Sequence, residues 1–164
     1  AQYKGAHDVL EATMQDVTNE MAHWLPPGVA NPLGATYAHV AAAEDVYLNS
    51  LAEGAQPLIV SSWAGKTGMN ELPPASGPWS EWGRRVQLDL TALRDYPQAV
   101  YADTDSYLAT LTDEDLGRTL DLAAANLGTP TLGWLLSLLV NNVTWHTGEI
   151  ACLKGLQSQK GYPF

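Results

Sequence analysis

The sequence predicts an all-α protein, a four-helix bundle with one long crossover loop. Apolar residues recur at spacings of three and four in four separate stretches, which is the pattern of helices that face a core. Prolines and glycines punctuate the chain between those stretches. The connection between the second and third stretches is long and rich in proline, glycine and tryptophan, as expected for the crossover of a bundle.

The first two predicted helices are separated by a Pro-Pro-Gly turn. The first covers about residues 6–24, where apolar side chains recur every fourth residue. The second covers about residues 32–52 and ends at Gly54. We expect Asn31 to cap its N-terminus, with Pro32 in the first helical position.

The third and fourth predicted helices complete the bundle. The third covers about residues 81–111, with a bend expected before Pro97. Residues 116–127 are expected to be irregular or to form a short β-like excursion. The fourth helix covers residues 131–157, a long segment without a proline.

The crossover loop, residues 56–82, contains Trp63, Trp79 and Trp82. Long loops in compact domains are usually functional or poorly ordered, and the tryptophans favour a loop that packs on the bundle. We also expect the aromatic tail at 160–164 to fold back. The length of 164 residues predicts one domain over 1–164.

Composition excludes several classes of protein. Hydrophobic residues make up 46% and charged residues 16%, which is atypical of disorder. The formal net charge is −10, from 18 acidic residues against 8 lysines and arginines. Because such a surface repels phosphate backbones and anionic lipids, we expect neither nucleic acid nor membrane as a partner. Cys152 is the single cysteine, and with no apolar signal segment at the N-terminus it predicts a reducing, cytoplasmic location.

The candidate site lies on the fourth helix. Asn142, His146 and Glu149 are spaced by four and three residues, so they project from one side of it. Polar groups beside a core need hydrogen-bond partners, a metal or a wet pocket. In a bundle, sites form between facing helices, so His39 of the second helix is expected to face His146.

Two interpretations of this histidine pair remain open. His39 and His146 are candidate ligands of zinc, nickel or iron, with Asn142 or Glu149 nearby. Spacing alone favours hydrogen-bonded core histidines instead. Asn142 weakens the metal interpretation, because it stands one turn before His146 and an amide oxygen is a poor ligand for these metals.

Other polar residues are assigned structural roles. His7 is expected to be solvated, and His23 to act at the C-terminal end of the first helix. Glu44 and Asp45 are expected on a solvated helix face, with Asp45 also a candidate catalytic group that holds an imidazole or a ligand ammonium. Cys152 is expected to be a small buried hydrophobe.

Three runs of residues resemble the DinB/YfiT-like family. The run His-Thr-Gly-Glu-Ile at 146–150 is similar to its last helix, and Asn-Pro-Leu-Gly at 31–34 followed by His39 is similar to its second helix. The run Leu-Thr-Asp-Glu-Asp-Leu at 111–116 resembles the stretch before its last helix. The resemblance covers nearly the whole chain.

The resemblance implies a bundle with a divalent metal held by three histidines. His39 matches the first ligand and His146 the last, whereas the middle ligand falls on Asn142. Members of the family include transferases and isomerases that use mycothiol, bacillithiol or glutathione. The resemblance also implies a homodimer.

Two functions follow as hypotheses. The first is a metal-dependent transferase or hydrolase acting on a small molecule, with nickel, zinc or iron and a low-molecular-weight thiol as cofactors. His39, His146 and Asn142 would then hold the metal, and Glu149 would orient a ligand. The alternative is a non-catalytic bundle that binds a small apolar or cationic ligand against Trp145 and the loop tryptophans.

Overall fold

Six α-helices are present in the described residues, and four of them form the bundle. The computed structural model describes residues 1–74 and 79–164. The helices are α1 (Gln2–Met14), α2 (Asn19–His23), α3 (Leu33–Asp45), α4 (Trp79–Gly83), α5 (Leu90–Leu108) and α6 (Leu132–Leu156). α3 is central, because it packs against α2, α5 and α6, while α1 packs against α6. The all-α bundle predicted from the sequence is confirmed.

The first predicted helix is divided in two. α1 ends at Met14, and Thr18 caps α2 by accepting a hydrogen bond from the Met21 amide. Arg94 donates to the carbonyl oxygens of Met14 and Val17, both at 3.0 Å. A cation at the C-terminal end of a helix satisfies its last carbonyls, so groups distant in sequence end α1 earlier than the apolar spacing predicts.

The second predicted helix is confirmed, with changes at both ends. α3 continues as a π-helix over Val46–Glu53 and ends at Gly54, whose φ of +72° suits a residue without a Cβ. Pro32, rather than Asn31, stands at the N-cap position, and no side chain caps the helix. The expectation that Asn31 caps this helix is therefore wrong.

The third helix begins later than predicted. Asp89 accepts hydrogen bonds from the amides of Thr91 and Ala92, so α5 starts at Leu90 and not near residue 81. Pro97 lies inside α5. The preceding residues form α4, whose Trp82 is only 1% exposed.

The crossover loop packs on the bundle, as expected. It contains a 3₁₀ turn at Leu58–Val60, and Trp63 and Trp79 lie against the main core. Residues 75–78 of the predicted loop lie outside the described residues.

The last helix matches its prediction closely. Thr131 caps α6 by accepting from the Trp134 amide, and Thr131 also pairs with Thr119 in an isolated β-bridge. The tail folds back in part, since a Cβ on Gly161 would lie 2.8 Å from the Ala151 carbonyl oxygen. Over the described ranges, no helix is both long and apolar enough to cross a membrane.

Candidate functional site

His39 of α3 and His146 of α6 face each other, as the sequence predicts. Their ring centroids are 4.9 Å apart and the ring planes are nearly perpendicular, at 89°. Trp79 of α4 stands on the other side of His39, with ring centroids 3.8 Å apart. The helix packing therefore brings two imidazoles and an indole into one place.

Glu149 holds the second imidazole. Its Oε2 lies 2.8 Å from Nδ1 of His146, one helical turn away. A carboxylate in this position fixes the orientation of the ring and favours the proton on Nδ1. Nε2 is then the nitrogen of His146 that remains for a ligand.

These side chains line a cavity of about 100 Å³ among α3, α4 and α6. Its polar and aromatic walls are formed by Asn31, His39, Trp79, Trp82, His146 and Glu149. At about 30 Å³ per liquid water molecule, the volume corresponds to roughly three waters. The cavity is thus polar and small.

Two buried polar atoms on this wall have no hydrogen-bond partner in the part of the chain that the structure describes: Oδ1 of Asn31 and Nδ1 of His39. Buried polar atoms are normally paired, and an unpaired one costs about 1–3 kcal/mol. Burial, together with nearby His146 and against the raising effect of Glu149, lowers the pKa of His39 to about 4. His39 is therefore a neutral imidazole near pH 7.

The residues present do not fit a three-ligand metal centre. Within residues 1–74 and 79–164, no group of three His, Cys, Asp or Glu side chains is arranged to hold a metal ion. Asn142 is partly buried, but it is not among the described residues that line the cavity. The donor set is therefore two imidazoles, one of which already binds Glu149.

Comparison with known proteins agrees with the fold. The family model described as the DinB superfamily matches residues 2–150, which include His39, His146 and Glu149. The chain belongs to the DinB superfamily. A conserved protein from Enterococcus faecalis, known from its crystal structure, matches 94% of this chain and 92% of its own, with a TM-score of 0.72. Its sequence identity is 22%, so the likeness shows the fold alone. No curated protein matches this chain.

In this DinB-superfamily chain, Asp45 is buried and fully hydrogen-bonded. It is 0% exposed, and its two oxygens accept from the amides of Leu58 and Ile59, both at 2.8 Å, and from the Tyr96 hydroxyl at 2.7 Å. The side chain of Asn49 donates as well. Because four donors occupy its lone pairs, Asp45 holds the crossover loop to α3. The expectation of a solvated face is therefore wrong, and the catalytic role stays a prediction.

Trp145 and Cys152 also differ from expectation. Trp145 is 62% exposed and does not line the cavity in the described residues. Adjacent residues on a helix point about 100° apart, so Trp145 cannot share the face of His146. Cys152 is exposed rather than buried.

A larger groove, of about 550 Å³, lies between α1 and α6. Its described lining includes Gln2, Asn141 and Tyr162, but no histidine and no acidic residue. Size alone would favour it as a binding site. We place the candidate site at the smaller cavity because the imidazoles, the carboxylate and the unpaired polar atoms are there.

A buried polar cluster that the sequence did not predict lies in the interior, among α1, α3 and α5. His7 is 5% exposed, its Nε2 lies 2.9 Å from Oε2 of Glu44, and its ring stacks on Tyr101. Thr104 donates to Oε1 of Glu44 at 2.6 Å. Neither His7 nor Glu44 is solvated, and both serve to join α1, α3 and α5.

His23 keeps a structural role, as predicted. Its Nδ1 lies 2.7 Å from the Asn19 carbonyl oxygen, and its Nε2 accepts from the Leu88 amide at 3.0 Å. Asn31 lines the cavity but was not predicted as a site residue. An asparagine before a proline and an apolar run is also typical of a helix cap, and it was interpreted as one.

Proposed function

We propose that this DinB-superfamily bundle binds a small molecule in the cavity between His39 and His146. The observation that carries the proposal is a pair of buried atoms on the wall of one cavity, Oδ1 of Asn31 and Nδ1 of His39, which have no partner among the described residues. Ligand sites are concave and orient their ligands through a few well-placed polar groups. A ligand that pairs with both atoms removes two desolvation penalties, which supports binding here.

Tryptophan indole resonances test this proposal directly. Of the six tryptophans, Trp79 and Trp82 line the cavity, whereas Trp134 and Trp145 are 45% and 62% exposed. A library of neutral, anionic and cationic fragments is titrated into ¹⁵N-labelled protein. We expect at least one fragment to shift the indole signals of Trp79 and Trp82 saturably, and to leave those of Trp134 and Trp145 in place.

The controls separate cavity binding from surface binding. His39→Ala should weaken the binding, and Asn141→Ala, a change on the exposed side of α6, should not. The shifts should persist in the presence of a chelator. If no fragment reaches the cavity tryptophans, or if chelation abolishes every response, this function is wrong.

The second candidate function is the metal-dependent transferase or hydrolase. The pairing of Glu149 with His146 favours it, since a histidine that binds a metal commonly donates its other nitrogen to a carboxylate. His39 and His146 would hold a nickel, zinc or iron ion, Asn142 would need to turn toward it, and a thiol such as mycothiol would be the co-substrate. The metal would supply Lewis acidity toward the bound substrate.

Metal content decides between the two candidates. Plasma mass spectrometry on tag-free protein, purified without added metal, should find far less than one ion per chain if the binding function holds. Near-stoichiometric metal that disappears in His39→Ala would support the enzyme instead. A homodimer remains our prediction for the assembly, and a monomeric mass by light scattering would contradict it.

A further inference from the structure

The cavity wall carries both hydrogen-bond donors and hydrogen-bond acceptors, and they differ in whether they are already paired. Two donors near the cavity are already used: the Thr36 hydroxyl donates to the Pro32 carbonyl, and the Trp82 indole N–H to the Glu71 carbonyl. The wall also presents two acceptors. Oδ1 of Asn31 is an amide oxygen, which can only accept, and the carboxylate of Glu149 accepts as well. A ligand that pairs with these two groups must therefore donate.

The charges point in the same direction. No lysine or arginine lines the cavity in the described part of the chain, while Glu149 contributes a carboxylate. Trp79 and Trp82 add two indole rings, with centroids 5.1 Å apart and planes at 73°. Aromatic rings attract cations through the negative potential over their faces. An anionic ligand would meet a carboxylate and an unpaired amide oxygen instead.

The volume limits the ligand to a few atoms. A cavity of about 100 Å³ is well below the 300–1,000 Å³ of typical ligand pockets. It admits a head group with one or two carbons, or the end of a longer molecule. Gly83 keeps this space available, because a Cβ at that position would lie 2.9 Å from Oδ1 of Asn31.

We propose that the cavity binds the ammonium group of a small primary amine, with Oδ1 of Asn31 and the Glu149 carboxylate accepting its N–H bonds. The proposal rests on the small-molecule binding proposed above and specifies its ligand class. Asn31 is then the residue that determines specificity. An ammonium group carries several N–H donors and one positive charge, and thus matches both the acceptors and the aromatic walls.

Ethylammonium chloride is the probe that tests the proposal. Three heavy atoms limit affinity to about the millimolar range, so the titration extends to tens of millimolar. Ethanol, sodium acetate and potassium chloride serve as neutral, anionic and inorganic-cation controls at matched ionic strength. We expect ethylammonium alone to shift the indole signals of Trp79 and Trp82 to saturation.

Substitutions of Asn31 test the role of its oxygen. Asn31→Leu keeps the approximate shape and removes the acceptor, and should weaken ethylammonium binding roughly tenfold or more. Asn31→Asp replaces the amide by a carboxylate and should strengthen it several-fold. Asn141→Leu makes the same change on the exposed side of α6 and should leave the affinity unchanged. Circular dichroism confirms that each variant is folded.

The outcomes distinguish this inference from the function on which it rests. Saturation by acetate or ethanol but not by ethylammonium overturns the ammonium inference and leaves small-molecule binding intact. Saturation by potassium at the same concentration, or an Asn31→Asp variant that binds ethylammonium no better than the natural chain, also overturns it. Failure of ethylammonium together with the whole fragment library overturns both.

Discussion

Nε2 of His7 lies 2.9 Å from Oε2 of Glu44, and this contact joins α1 to α3 in the interior. The two side chains are 7% and 1% exposed. Removal of one partner from a buried pair leaves the other desolvated and incompletely bonded, which is the costly case. His7→Leu should therefore lower the free energy of unfolding by about 3 kcal/mol, as measured by urea denaturation.

Two further variants serve as controls for the measurement on His7→Leu. Lys4→Ala breaks the exposed pair between Lys4 and Asp8 on the same helix and should leave the midpoint essentially unchanged. The double variant His7→Leu, Glu44→Leu should recover part of the loss, because neither polar group then remains buried. A His7→Leu protein as stable as the natural one would contradict the pairing.

Asp45 should matter for stability and not for ligand binding. Asp45→Ala leaves the Leu58 and Ile59 amides and the Tyr96 hydroxyl without their acceptor, and should cost about 3 kcal/mol. Tyr96→Phe removes one of these bonds and should cost about 1 kcal/mol. If a folded Asp45→Ala protein lost its response to fragments at Trp79 and Trp82, this result would instead support a direct role of Asp45 in ligand binding.

The burial of Glu11 predicts how the free energy of unfolding depends on pH. Burial raises its pKa above the ordinary value of 4.5, against the lowering effect of hydrogen bonds from Tyr101 and Tyr37. The folded state thus binds the proton more tightly than the unfolded state. The favourable contribution is complete below pH 4.5 and is lost as the pH rises through the raised value.

Acidification from neutral pH toward 4.5 should consequently stabilise the natural chain relative to Glu11→Gln, which has no carboxyl proton to bind. Unfolding free energies at several pH values, taken as the difference between the two proteins, isolate this group from all others. A difference that stays constant with pH would show that the fold does not perturb Glu11.

Two glycine substitutions should have opposite effects. A Cβ on Gly34 would lie 2.9 Å from both Cβ and the carbonyl oxygen of Ala22, so Gly34→Ala should separate α2 from α3 and cost about 2 kcal/mol. A Cβ on Gly5 meets no atom within 4 Å, and Gly5→Ala should stabilise α1 by roughly 0.5–1 kcal/mol. Thermal melting of the two variants, in opposite directions, checks both.

Sequence reasoning was accurate where one helix carries its own pattern. The bounds of α6 follow from apolar periodicity, and the end of the second helix follows from Gly54. The opposition of His39 and His146 follows from the bundle architecture. It failed where the deciding partner lies on another helix. His7 is 37 residues from Glu44, and nothing within the first helix indicates that a buried carboxylate will bind His7.

The same limit explains the other errors. Asp45 was expected on a solvated face because the local sequence does not show its hydrogen-bond donors. Its four donors come from an adjacent turn, a loop and α5. Asn31 satisfied a local rule for helix caps, yet Pro32 occupies that position and the amide oxygen lines the cavity. A buried polar residue is identified by what surrounds it, and local spacing does not contain that information.

The C-terminal end of α1 depends on the other end of the chain. Arg94 of α5 binds its last carbonyls, and Lys154 of α6 binds the Thr13 carbonyl and Asp16 from 141 residues away. At about 5–20 residues per second, a ribosome needs on the order of ten seconds to synthesise that interval. Throughout this time α1 lacks the helix that covers its apolar face, so the N-terminal segment completes its packing only after α6 has been synthesised.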